Sequence, residues 1–144
     1  MAGIDTRNRT MPASPSRPSL APYLSCTDAR SVIDFCQAAF GAVEVMRWID
    51  PENGKIGHAE LRLGGQSFFL ADEYPQTSAL GVKSPLSLGG SSFHFWLVVD
   101  DVEAVTARAV AAGGTLLRGI EQGQDGRRSR VRDPGGHVWS ISSH

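Results

Sequence analysis

The chain has 144 residues, 41% of them hydrophobic, with 14 Lys and Arg against 15 Asp and Glu; that balance fits one globular domain and excludes a disordered or coiled-coil chain. The net charge of −1 argues against nucleic acid as a partner, because phosphate binding wants a clear basic excess. No apolar run approaches the roughly 20 residues that span a bilayer, so no membrane partner is expected. The N-terminus lacks the apolar core of a secretory signal, and two cysteines, Cys26 and Cys36, suit a reduced, cytoplasmic setting.

Residues 1–20 read as a flexible tail, rich in Pro, Ser and Arg. Residues 21–144 form the domain, as a module over 21–73, a linker over 74–92 and a second module over 93–144. Ala21 to Cys26 is a short extended run. Thr27 or Asp28 offers an N-cap for a helix carrying Ala29, Val32, Ile33, Cys36, Ala39 and Phe40 at helical spacing, which Gly41 ends. Strands follow over 43–49, 58–63 and 67–71, with Val43 and Val45 expected to face the helix and Gly64-Gly65 making a tight turn. The stretch from Glu73 to Ser92 reads as a long loop. The second half opens with a strand over 93–99. Asp100 caps the next helix, with Glu103 in the capping-box position, and strands over 115–120, 127–132 and 137–142 complete it.

An internal repeat emerges. Asp28 to Gly41 matches Asp101 to Gly114, and Leu63-Gly-Gly65 matches Pro134-Gly-Gly136. The order β-α-β-β-β therefore occurs twice, which predicts an α+β fold. Each unit covers one sheet face with its helix and leaves the other bare, so two units can enclose a shared cleft.

Five stretches carry a family resemblance: Tyr23 to Phe35 with Ala39-Phe-Gly-Ala42; Gly57-His-Ala-Glu-Leu-Arg-Leu-Gly64; Leu70-Ala-Asp-Glu73; Ser84-Pro-Leu-Ser-Leu-Gly-Gly90; and Val131-Arg-Asp-Pro-Gly-Gly-His-Val-Trp-Ser-Ile141. With them the chain resembles the vicinal oxygen chelate superfamily, and within it the small bacterial glyoxalase/bleomycin-resistance/dioxygenase-like proteins. The resemblance implies paired βαβββ modules, a homodimer and a sheet-lined cavity. In metal-dependent members, His and Glu from the first and last strand of each module hold Zn, Ni, Fe or Mn, which acts as a Lewis acid or activates dioxygen. Other members bind drugs.

Counted from the helix starts and glycine turns, those four positions carry Ala21, Phe69, His94 and Ser140. Only His94 is a good ligand, and a metal site needs three or four donors, so neither metal nor other cofactor is expected. Strand parity instead puts Tyr23, Met46, Trp48, Phe69, His94, Trp96 and Ser140 in the cleft as ligand-binding candidates. His58 and Glu60 share a strand face opposite Ala59, Leu61 and Leu63. They are acid–base candidates together with His94, although a solvated edge face is the simpler explanation of the first two. His137 has the parity of Trp139 and Ile141 and is expected to be structural. Arg127, Arg128, Arg130 and Arg132 read first as a solvated strand face and second as a contact for an anion or a partner. The cysteines read as buried small hydrophobes.

Two functions compete. The first is binding of a small organic molecule, such as an antibiotic or a toxic metabolite, in a metal-free aromatic cleft. The alternative is a metal-dependent lyase, isomerase or dioxygenase whose divalent-metal ligands have moved, for instance to His58, Glu60 and His94.

Overall fold

The computed structural model describes residues 18–124 and 126–144. Most of the expected tail lies outside them. The first module runs β1 (Tyr23–Cys26), α1 (Ala29–Phe40), β2 (Val43–Ile49), β3 (Ile56–Leu63) and β4 (Gln66–Asp72). The connecting stretch is not structureless: it holds two short helices, α2 (Pro75–Ala79) and α3 (Pro85–Leu88), each started by a proline that suits a first turn. The second module runs β5 (Phe95–Val98), α4 (Val102–Ala111), β6 (Thr115–Gly123), β7 (Gly126–Arg132) and β8 (Val138–Ser142).

Each module folds into one four-stranded sheet, in the orders β1-β4-β3-β2 and β5-β8-β7-β6. The first and last strands of each module pair in parallel and the others antiparallel. The repeat extends to register: Tyr23 pairs with Phe69, and Trp96 with Ser140.

One core serves both modules. Helix α1 buries Ala29, Val32, Ile33, Phe35, Cys36 and Ala39, helix α4 buries Val102, Val105, Thr106 and Ala109, and the two helices pack against each other. Beside them Trp139 of β8 stacks on Phe95 at 4.2 Å between ring centroids and meets Phe40 at 4.6 Å and Phe68 at 6.1 Å. The modules are thus joined through the helix-bearing sides of their sheets, and the opposite sides point outward.

Three local details depart from the sequence reading. Asp28 occupies the N-cap of α1 without a side-chain cap bond. Asp72, at the end of β4, replaces it: its Oδ1 accepts from Ala29 N at 2.7 Å and its Oδ2 from Ile56 N at 2.7 Å. Helix α4 is capped by Asp101 rather than Asp100, through a 3.0 Å bond from Ala104 N, and Glu103 pairs with Arg127 instead of closing a capping box. In β2 a register shift between Glu44 and Met46 turns the strand, as a bulge does. Val43 and Val45 are therefore exposed, and Glu44 and Arg47 hold each other by a side-chain ion pair.

The Asp133-Pro-Gly-Gly-His137 turn is built around a buried carboxylate. Asp133 Oδ1 accepts from the backbone N–H of Gly135 and His137 at 2.8 and 3.0 Å and meets His137 Nδ1 at 3.3 Å. Its Oδ2 accepts from Trp139 Nε1 at 3.0 Å. His137 is buried here, in the structural place that its parity indicates.

Candidate functional site

The outward sides of the two sheets carry nearly all the candidate site residues. Leu24 and Cys26 of β1 are buried on the helix side, so Tyr23 and Ser25 point outward. The pairing of Tyr23 with Phe69, Glu60 with Phe69, Met46 with Glu60 and Trp48 with His58 then puts Phe69, Glu60, Met46, His58 and Trp48 on the same face. On the second sheet Trp96 pairs with Ser140, and Ser140 with Arg130. Ser140 is buried beneath its neighbours.

These residues form two clusters. On the first sheet Tyr23 Oη lies 2.7 Å from His58 Nδ1, and the rings of Tyr23, His58 and Phe69 meet pairwise at 5.2–5.7 Å between centroids. Burial pushes the Tyr23 phenol above its ordinary range, which keeps it a neutral donor or acceptor. Glu60 accepts from Ser67 Oγ at 2.8 Å and lies 3.8 Å from Arg62. Trp48 lies over Gly57, where any Cβ would collide with the indole, and this explains a glycine inside a strand. A recess of about 230 Å³ opens beside the cluster, lined by Tyr23, Ser25, Gly57, Ala71, Tyr74 and Val82. On the second sheet the Arg128 guanidinium sits 5.3 Å from the Trp96 ring centroid, and Arg130 Nε donates to Ser140 Oγ at 3.0 Å.

Gly57 and Tyr74 border the first cluster without being among the site candidates, and Arg128 and Arg130, whose second reading is an anion contact, lie in the other cluster. A glycine interrupting the β3 pattern was the readable signal for Gly57. Arg128, Arg130 and Arg132 recur at every second position of β7 and share this side; Arg127 turns the other way, to Glu103 of α4. Arg128 and Arg130 are half-buried rather than fully solvated.

Within one chain these outward faces stay open. Tyr23 is 52% exposed, Trp48 50% and Trp96 47%. His94 is exposed just before β5, in the other module from His58 and Glu60. Among the described residues no three His, Cys, Asp or Glu side chains gather where they could hold a metal ion.

The metal positions of the resembled family can be tested on this geometry. Phe69 fills its position with a ring packed on Tyr23 and His58. Ser140 accepts from a guanidinium, so a fixed cation already attends the fourth position. Ala21 offers no donor. These residues do not fit the metal.

Both cysteines are free and buried. Burial and then nearby carboxylates push their thiols well above the ordinary range, which disables them as nucleophiles.

The connecting stretch is pinned at the rim by Glu73, whose carboxylate accepts from Ser84 N at 2.7 Å and Ser87 Oγ at 3.0 Å. The Ser84 N–H above all, with the serine hydroxyls and the Lys83 charge, holds Glu73 below the usual carboxylate range. A lowered folded pKa stabilises above the unfolded value and is lost as pH falls through the folded one. Hydrogen exchange at the Ser84 amide, corrected for intrinsic rate, should therefore lose protection as the solution is acidified below the ordinary Glu range. Glu73→Gln should remove most of that pH dependence. Protection that stays flat on acidification contradicts this role.

The architecture is that of two fused βαβββ modules with open sheet faces. A family model described as glyoxalase/bleomycin resistance protein/dioxygenase superfamily matches residues 19–141. An uncharacterized protein of Mycobacterium tuberculosis is 42% identical over 125 residues, covering 86% of this chain and 73% of the relative. The solved structure of an Arabidopsis thaliana gene product is 26% identical with a TM-score of 0.66, over 88% of this chain and 98% of that one. The fosfomycin resistance protein FosX of Mesorhizobium loti shares the fold at 13% identity and a TM-score of 0.63, over 88% of this chain and 91% of that one. The chain belongs to the glyoxalase/bleomycin resistance protein/dioxygenase superfamily. None of its described helices is long and apolar enough to cross a membrane.

Proposed function

We propose that this protein binds a small organic molecule in the cytoplasm, in a cleft that two copies of the chain complete and with no metal in the cleft. The ligand-binding residues are Tyr23, Met46, Trp48 and Phe69 on one wall and Trp96 and His94 on the other; Ser140, expected to join them, is fully buried and instead holds Arg130 from beneath. Sequestering a drug or a toxic metabolite is the role such a cleft serves. The observation that carries this reading is the ring cluster of Tyr23, His58 and Phe69 beside Trp48 and Met46, left open on a sheet face. Contiguous exposed apolar surface of this kind marks ligand or subunit contacts. A second copy supplies both, because it can seat its Trp96 face over the first copy's Tyr23 face and form two equal clefts, each walled by aromatic side chains with a few polar groups.

One observation favours a second reading, acid–base chemistry at His58: the 2.7 Å contact to Tyr23 Oη can fix the tautomer of the ring and support proton transfer.

Native mass spectrometry of the freshly purified full chain tests both. Sequestration is expected to give a dimer that releases an unaltered organic molecule at one per cleft. A released molecule chemically changed from the one supplied supports the acid–base reading. A monomer at micromolar concentration, or a dimer carrying stoichiometric tightly held Zn, Ni, Mn or Fe, overturns the metal-free cleft.

A further inference from the structure

The outward face of the second sheet carries positive charge that neighbouring carboxylates among the described residues leave unpaired. Along β7, Arg128, Arg130 and Arg132 lie opposite Ser142, Ser140 and Val138, and Arg130 also lies directly opposite Arg118 of β6. Like charges opposite each other on neighbouring strands destabilise a sheet. Among the described residues, Glu121 is the carboxylate paired with Arg128 in register, and its ion pair, at 3.7 Å, is with Arg118. Neither Arg128 nor Arg130 takes part in an ion pair among those residues. The whole chain nevertheless has a net charge of −1, so the basic excess is local to this wall.

Both guanidiniums are set in place before any ligand arrives. Ser140 takes one N–H of Arg130 and leaves the remaining donors of its fork for another acceptor. Arg128 is held over the Trp96 indole, as a cation stacked on an aromatic face is. Half-burial raises the value of a counter-charge relative to open solvent. Planar paired donors match an oxyanion better than a point cation does.

We propose that the ligand of the cleft is a flat organic molecule bearing an oxyanion, its charged head held by Arg128 and Arg130 and its apolar body lying on Trp96 against the facing ring cluster. This deepens the cleft-binding reading and rests on it.

Benzoate and its uncharged counterpart benzamide are the probes, added to the full-length, isotope-labelled protein and followed through the Arg Nε–Hε and Trp Nε1–Hε1 signals. Benzoate should move the Arg128, Arg130 and Trp96 signals and bind about tenfold more tightly than benzamide, as one charge-assisted contact provides. Arg128→Gln with Arg130→Gln should abolish that preference while leaving the backbone amide spectrum dispersed. Added salt should weaken benzoate alone. Equal affinity for the two probes, with the arginine signals unmoved, defeats the oxyanion assignment and leaves the aromatic cleft standing. No movement of Trp48 or Trp96 with either probe at tens of millimolar, the range in which fragments of this size bind, defeats the cleft itself and this inference with it.

Discussion

Asp133→Ala is expected to lower the stability of the fold by about 3–5 kcal/mol, because three N–H donors lose their acceptor in a place water does not reach. The donors are the backbone groups of Gly135 and His137 and the indole of Trp139. Asp133 and Trp139 are both buried. The loss also frees Trp139, against which Phe40, Phe68 and Phe95 pack. For a chain of this size the melting temperature should fall by roughly 10–15 °C, followed by circular dichroism. Asp133→Asn keeps one oxygen and turns a donor toward the remaining N–H groups, so it should fall between wild type and Ala. A loss under about 1 kcal/mol for Asp133→Ala, the ordinary size of a single net hydrogen bond, rules out the carboxylate as the hub of this turn.

Phe35→Ala should cost about the same, about 3–5 kcal/mol, the usual range for a fully buried ring removed with incomplete collapse around the hole. Phe35 is 1% exposed. Its ring lies where a Cβ on Gly114 would sit, at 2.9 Å, so this side chain of the first module fills space that the second leaves for it. Gly114→Ala should also destabilise, since its methyl would meet the ring and, at 2.8 Å, the Ala109 carbonyl oxygen. Combined, the two changes should cost less than the sum of their separate effects, because truncating the ring vacates part of the space the methyl needs. Urea denaturation of the four proteins measures this coupling. Strict additivity contradicts the shared-space account.

Much of the fold is legible in the sequence because it is local. The two helices announce themselves by spacing, and Gly41 ends the first in the left-handed conformation, at φ 72°, that glycine adopts without strain. The repeat gives the order of elements in each module, though not the order of strands in each sheet, and parity puts Tyr23, Phe69 and Trp96 on the outward faces and His137 on the helix side. What was not legible depends on distant partners or on one-residue irregularities. The bulge at Val45 reverses part of β2, and alternation alone cannot reveal it. Asp28 is the N-cap residue of α1, as its position indicates, but the carboxylate that accepts from Ala29 N is that of Asp72, 43 residues downstream, which no local pattern can reveal. The short helices α2 and α3 hold too few residues to show a period. At the site, a run of arginines on one strand reads as solvated surface until Ser140 and Trp96 are seen beneath it. That the two sheets turn their open sides away from each other is a tertiary choice, made by the packing of α1 on α4.

The two sides of each sheet separate the buried core from exposed aromatic side chains. Trp48 and Trp96 stand exposed outside the cluster of buried side chains that holds the modules together. If these faces bind the proposed ligand, exchanging such residues should change what the surface accepts while leaving the contacts of the buried core in place. A scaffold arranged in this way would let its chemical preference diversify through a handful of codons after duplication while the residues that hold the modules together stay the same.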